Sequence, residues 1–233
     1  MVAIFVALMF VGLVLTDLCL EKWPAWRAKH IARRALETHP ARNGVGFGLD
    51  ARWQVPEGIH LSDQHTWCKA DPRGGIEVGA DSLIAHVVGA VRGIILPEVG
   101  NQVNPGQPLC RLELKGRTLV VPSALAGRVV AVNSRLHDRP ELLSSDPYGS
   151  GWICYLTPTQ AEEPAPHMRF GENAMRWMEE EFVRLREFLS AQIPPDLALN
   201  ATSHDGGLPA VGCLGELDSK AWTAFEEEFL KRK

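Results

Sequence analysis

Residues 126–156 read AGRVVAVNSRLHDRPELLSSDPYGSGWICYL, and this stretch constrains the fold more than any other part of the chain. Gly127 permits a tight turn into the β-branched run that follows it. The five residues PYGSG at 147–151 predict a rigid turn that delivers Trp152 to a hydrophobic core. The stretch therefore predicts a strand, a structured turn and a second buried strand, as in a compact β domain.

Short apolar runs and turn signals continue on the N-terminal side of this stretch. The candidate strands are Thr66–Ala70, Gly75–Val78, Val91–Ile95, Pro108–Leu114, Thr118–Pro122, Gly127–Val132 and Trp152–Leu156. Many short strands with regular turns predict an all-β sandwich or barrel. Residues 81–89 interrupt the pattern and predict one short helix, with Asp81 as its N-cap. The fold class is therefore mainly β with some α.

Three ordered blocks resemble the H-protein of the glycine cleavage system, a lipoyl-bearing carrier of the biotinyl/lipoyl fold. They are HLSDQHTW at 60–67, IEVGADSLIAHVVGAVRGIILPEVGNQVNPGQPL at 76–109, and the stretch at 126–156. The resemblance implies a biotinyl/lipoyl-type β-sandwich, a barrel-sandwich hybrid, over 59–160. It also implies a protein that carries reaction intermediates and does not catalyse.

The family attaches lipoate to the lysine of a glutamate–x–x–lysine–alanine pattern at a hairpin tip. Gly106 and Gly127 anchor the comparison on either side of that hairpin. Without gaps between the anchors, the glutamate falls on Glu113 and the lysine position falls on Gly116. Lys115 lies one residue before the position of the family's lysine. In a hairpin strand, a slip of one residue turns a side chain to the opposite face.

A simpler interpretation explains LELKGRTLVVPS at 112–123 without a cofactor. Lys115 and Gly116 form a good two-residue hairpin turn, with glycine supplying positive φ. An exposed lysine in a turn is also the default expectation for that residue type. We therefore expect no lipoate here. The alternative is that Lys115 is the lipoyl attachment residue, with Glu113 as the family's glutamate.

The N-terminal segment predicts a membrane anchor. Residues 1–20, MVAIFVALMFVGLVLTDLCL, contain a single charged residue, and about twenty apolar residues suffice to cross a bilayer as a helix. A signal peptide would need a basic start and a small-residue cleavage site, which the segment lacks. The basic residues within 21–34 then place the bulk of the chain in the cytoplasm. We expect a single-pass protein of the inner (cytoplasmic) membrane.

Residues 161–233 extend beyond an ordinary H-protein and predict amphipathic helices. One helix follows the Pro-rich break at 161–166 and ends before Pro194, and a second starts at an Asp218 N-cap. Their apolar stripes either pack on the β domain or bind a partner protein. The candidate partner-binding residues are Met178, Phe182, Leu185, Trp222, Phe225 and Phe229.

Composition excludes several functional classes. The net charge of −4 gives no indication of a nucleic-acid partner. The five cysteines are scattered singly, which favours a reducing compartment and predicts no metal site. No nucleophile elbow, HExxH motif or phosphate-binding loop is present, so we expect no catalytic residues. His65 is expected to be a structural polar residue.

These observations predict four segments, a transmembrane helix at 1–20, a basic juxtamembrane segment and linker at 21–58, the H-protein-like domain at 59–160 and the helical extension at 161–233. The expected function is a membrane-tethered, non-catalytic module that acts as an interaction or scaffold subunit for a partner protein or complex. The alternative is a genuine lipoyl carrier, with lipoate on Lys115, that serves a membrane-associated redox or one-carbon system.

Overall fold

The computed structural model describes residues 54–72, 74–159, 168–192 and 209–231. The predicted transmembrane helix at 1–20, the basic segment that follows it and the break at 161–166 lie outside these described residues. No helix within the described ranges is long and apolar enough to span a bilayer.

The described residues form ten strands, all paired antiparallel, and five α-helices. The strands are β1 His60–Leu61, β2 Thr66–Asp71, β3 Gly75–Ala80, β4 Gly93–Ile95, β5 Gln102–Val103, β6 Pro108–Leu114, β7 Arg117–Pro122, β8 Gly127–Val132, β9 Cys154–Pro158 and β10 Arg169–Phe170. The helices are α1 Ser82–Val88, α2 Arg135–Asp138, α3 Leu142–Ser145, α4 Gly171–Gln192 and α5 Ser219–Phe225. A 3₁₀ turn at Cys213–Glu216 precedes α5, and a π-helical turn at Glu226–Leu230 follows it.

Two sheets make up the β domain. The larger has the strand order β10-β1-β2-β3-β9-β8-β5, and the smaller has the order β4-β6-β7. Thr66 of the larger sheet donates a buried hydrogen bond of 2.7 Å from its Oγ1 to the carbonyl of Pro122 in the smaller. The predicted mainly-β, lipoyl-type sandwich is confirmed. Each predicted strand overlaps an observed one, whereas the two-residue strands β1, β5 and β10 are too short to give a sequence signal.

The turn that delivers Trp152 to the core is held by hydrogen bonds and close backbone contacts. Asp146 accepts a hydrogen bond of 2.7 Å from the Ser150 amide. A Cβ on Gly151 would lie 2.6 Å from the Leu142 carbonyl oxygen, so only glycine allows this approach. Asn133 donates to the carbonyls of Ser150 and Trp152, at 2.8 Å each. Trp152 is fully buried.

Helix α1 begins at the predicted cap. The Asp81 carboxylate accepts hydrogen bonds from the amides of Leu83 and Ile84, at 3.0 and 3.1 Å, which satisfies donors that a helix start leaves free. Every side chain of α1 is buried. The helix contacts α3, the 3₁₀ turn at Cys213–Glu216 and α4.

The C-terminal helices pack on the β domain. A single hydrophobic cluster contains side chains from both sheets, from α1, and from the segments at 168–192 and 209–231. The Asp218 cap predicted for α5 is present, since its carboxylate accepts a hydrogen bond of 2.8 Å from the Ala221 amide. The apolar stripes of these helices therefore pack on the β domain of the same chain.

Candidate functional site

The hairpin of β6 and β7 ends in a two-residue turn. The last strand pair is Leu114 with Arg117, which leaves only Lys115 and Gly116 in the turn. Gly116 has φ of 78°, as expected where glycine serves a tight turn. Both turn residues are exposed. The predicted Lys-Gly turn is therefore confirmed.

This geometry changes how the one-residue slip of Lys115 is interpreted. The rule that a slip reverses a side chain applies within a strand, where successive residues alternate in direction. Positions 115 and 116 both lie in the turn, outside the paired residues. Lys115 therefore lies at the tip of the hairpin, and the alternation of faces along a strand does not apply to it.

Glu113 lies on the outer face of the same hairpin. It pairs across the strands with Thr118, and both residues are exposed. Its backbone carbonyl accepts a hydrogen bond of 2.8 Å from the Arg92 amide. A Cβ on Gly93 would lie 2.8 Å from Glu113 Oε2, so the absence of a side chain at Gly93 leaves room for the carboxylate beside β4.

Arg117 connects the hairpin tip to the C-terminal extension. Its Nη1 donates to the carbonyls of Leu217 and Asp218, at 2.7 and 3.2 Å. Its guanidinium carbon lies 5.2 Å from the ring centroid of Trp222. Local sequence offers no signal for these contacts, because the segment that receives Arg117 lies about one hundred residues further along the chain.

A second cluster of charges lies in the interior. His65 Nδ1 is 2.7 Å from Asp81 Oδ2, and His65 Nε2 is 3.7 Å from Glu181 Oε2. The imidazole stacks on Trp177, with ring centroids 5.1 Å apart. Arg184 donates to Glu181 at 2.7 Å and completes the chain of charges toward the surface. His65 is thus a structural polar residue as predicted, whereas no local pattern indicated its pairing with Glu181.

Opposite charges determine the protonation of this cluster. Burial by itself lowers the pKa of His65, but the Asp81 and Glu181 carboxylates outweigh that effect and raise the pKa to about 9. Burial would also raise the pKa of Glu181, yet His65 and Arg184 lower it to about 2. The cluster therefore holds a histidinium between carboxylates at neutral pH. The cluster links the residue just before β2 to the N-cap of α1 and to α4.

The proposed partner-binding residues are not exposed. All six are buried within the chain, namely Met178, Phe182, Leu185, Trp222, Phe225 and Phe229. Phe225 and Phe229 stack on each other, with ring centroids 4.9 Å apart, and both contact Phe188 edge-on. This stripe is core and not a docking face in the present structure, because α4 and α5 cover each other and the β domain.

Comparisons with known proteins agree with this geometry. The family model for the glycine cleavage H-protein matches residues 59–181, which is more than half of the chain. The chain belongs to the glycine cleavage H-protein family. A probable glycine cleavage system H protein of Thermococcus gammatolerans is 33% identical over 127 residues, covering 54% of this chain and 94% of that protein. The glycine cleavage system H protein of Hydrogenovibrio crunogenus is 33% identical over 109 residues, covering 47% of this chain and 84% of the relative.

A solved structure is also similar to this H-protein-like chain. It is a glycine cleavage system H protein from Mycobacterium marinum, 26% identical, with a TM-score of 0.46, covering 53% of this chain and 98% of that one. The family match ends within α4 at residue 181. The segment 209–231, which contacts Arg117, therefore lies beyond the part of the chain that the H-protein family model matches.

The hairpin tip of this H-protein family member suits covalent attachment through a lysine amine. Lys115 is exposed at the end of a paired hairpin. A Cβ added at Gly116 would meet no atom within 4 Å, so the tip is not crowded. The residues present therefore fit a group carried on the Lys115 amine.

Proposed function

We propose that this chain is a membrane-tethered, non-catalytic carrier subunit with lipoate on Lys115. One observation carries the proposal. Lys115 is an exposed residue of a two-residue turn, at the tip of a paired hairpin, in a domain of the glycine cleavage H-protein family. The sequence by itself favoured a module without lipoate, and the geometry of the turn is our reason for preferring the alternative.

The chain's own part in this function is presentation. Attachment would join Lys115 Nζ to the lipoyl carboxyl carbon through an amide bond, with loss of one proton from the amine and of the carboxyl's activating group. When bound, lipoate supplies a disulfide–dithiol pair at the end of a long flexible arm. The antiparallel pairing of β6 and β7 up to Leu114 and Arg117 holds the base of that arm.

The tether is a separate element of the proposal, and residues 1–20 support it. Their sequence, MVAIFVALMFVGLVLTDLCL, is long and apolar enough for one membrane-spanning helix, and basic residues follow it. We therefore propose a location at the inner face of the cytoplasmic membrane. A tethered carrier would meet membrane-associated redox or one-carbon enzymes at a raised effective concentration.

The experiment is lipoylation of the purified full-length chain by a lipoate ligase. We expect the wild-type chain to gain one lipoyl group and Lys115→Arg to gain none. Lys69→Arg is the matched control, because Lys69 is an exposed lysine of β2 outside the hairpin. Equal labelling of wild type and Lys115→Arg would place the modified amine elsewhere and refute the proposed site.

A second candidate is a lipoate-free interaction module. The observation that favours it is the glycine at position 116, where the family pattern has its lysine. In that case a pull-down from the organism's own membranes should recover the same partners with wild type and Lys115→Arg. Loss of every partner with Lys115→Arg, but not with Lys69→Arg, would exclude this candidate.

A further inference from the structure

Arg117 lies on the inner face of the hairpin, and the outer face carries exposed side chains among the described residues. Leu112, Leu114, Leu119 and Val121 point inward and are buried, and cross-strand pairing puts Arg117 in line with them. Glu113 and Thr118 lie on the outer face and are exposed. The inner face of the hairpin therefore contacts the C-terminal extension through Arg117.

The contact combines a cation–π stack with hydrogen bonds. The guanidinium lies over the Trp222 ring, an arrangement with a favourable cation–π energy. It donates to the carbonyls of Leu217 and Asp218, and hydrogen bonds from a charged donor are stronger than neutral ones. We call Leu217, Asp218 and Trp222 the C-terminal clasp.

The segment that leads into the clasp is itself fixed to the rest of the domain. The Gly212 amide donates to the His86 carbonyl at 2.9 Å. His86 Nε2 is 2.7 Å from the Pro209 carbonyl oxygen. A Cβ on Gly89 would lie 2.7 Å from Gly212 Cα, so the two backbones cross in close contact. An arginine bound to this segment is therefore held against α1 and the core.

We propose that Arg117 is a positioning residue for Lys115. By binding the C-terminal clasp, it keeps the last residues of β6 and β7 paired. Lys115 is thereby presented from an ordered tip whose accessible face carries Glu113 and Thr118. The proposal rests on the proposed function of Lys115 as the attachment residue. It adds that the segment 209–231, beyond the H-protein family match, is part of the presentation of that lysine.

The test compares hydrogen exchange of hairpin amides in the full-length chain. In Arg117→Ala, amides of residues 112–119 should exchange about tenfold faster, because the stack and two charged hydrogen bonds no longer oppose local opening. Arg169→Ala is the matched control. Arg169 also lies over a tryptophan, Trp177 at 4.8 Å, and pairs with Asp63, but it is in β10 and away from the hairpin.

The second readout is the kinetics of lipoylation by the ligase. For Arg117→Ala we expect kcat/KM to fall about fivefold, mainly through a higher KM, because a disordered tip must be ordered on binding. Arg117→Lys should be intermediate, since an ammonium retains the charge but does not reproduce the planar fork and stack. Arg169→Ala should behave as wild type in this assay.

Two results would overturn the inference. One is hairpin exchange in Arg117→Ala equal to that in Arg169→Ala. The other is exchange that rises equally across hairpin and non-hairpin peptides such as β9, which would make Arg117 a global stabiliser only. Failure of the wild-type chain to accept lipoate would refute the proposed function instead. The exchange comparison would then still decide whether the clasp orders the tip.

Discussion

His65 Nδ1 lies 2.7 Å from Asp81 Oδ2, and both side chains are buried. The other carboxylate oxygen of Asp81 caps α1. One aspartate thus starts the helix and binds the residue just before β2. His65 has φ of 59°, a left-handed conformation that non-glycine residues rarely adopt. The buried contacts of its side chain hold it there.

The first prediction concerns the pH dependence of stability. The folded-state pKa of His65, about 9, exceeds its ordinary value of 6.5. The histidinium therefore stabilises the fold fully below pH 6.5, and that contribution is lost as the pH rises through 9. We expect the free energy of unfolding to fall by up to about 3 kcal/mol over this window.

Denaturant unfolding at pH 6, 7.5 and 9 measures this effect, with His65→Asn as the comparison. Asparagine tolerates the left-handed backbone but does not titrate. The difference in unfolding free energy between wild type and His65→Asn should shrink as the pH rises. A constant difference across the window would contradict a charged His65 in the folded state.

The second prediction concerns Glu181. Glu181→Gln removes the carboxylate that His65 and Arg184 share. We expect a loss of about 3 kcal/mol of unfolding free energy at pH 7, because two partly or fully buried cations lose a counter-charge. Glu179→Gln, on the exposed face of α4, should stay within about 0.5 kcal/mol of wild type. Equal effects from the two variants would show that the buried cluster contributes nothing specific.

The third prediction concerns Gly151. Gly151→Ala brings a Cβ to 2.6 Å from the Leu142 carbonyl and 2.8 Å from that of Asp146. Backbone cannot move aside as a flexible side chain can, so we expect a loss of about 2 kcal/mol or more. Gly215→Ala meets no atom within 4 Å and should be nearly neutral. Thermal melts of both variants check this, and a neutral Gly151→Ala would mean that the turn is not close-packed.

The fourth prediction concerns the C-terminal extension. Phe225 is fully buried between α4 and the π-helical turn. Phe225→Ala should cost about 3–5 kcal/mol, whereas Val211→Ala, at an exposed position, should cost little. Chemical denaturation measures both. If Phe225→Ala is as stable as wild type but no longer binds a protein that wild type binds, the apolar residues of the C-terminal helices form a partner-binding face.

Much of the β domain was predictable from sequence because its determinants are local. Asp81 and Asp218 cap helices two or three residues away, and the Lys115–Gly116 turn depends on a single glycine. The blocks that resemble the H-protein family then indicated a lipoyl-type sandwich.

The parts of the site that escaped prediction depend on distant contacts. Arg117 binds residues about one hundred positions away, and His65 pairs with Glu181 across most of the domain. Periodicity indicated that α4 has an apolar face but not what covers it. On α4, Met175 is exposed, while Trp177 and Phe188 are buried.

The presence of lipoate on Lys115 can be tested by measuring the intact mass of the full-length protein purified from its own cells and then mapping the modified peptide. We expect a mass increment of one lipoyl group, located on Lys115 in the peptide that contains LELKGRTLVVPS. An unmodified Lys115, in cells where other proteins are lipoylated, would contradict it and leave the hairpin as the turn of a carrier fold without its cofactor.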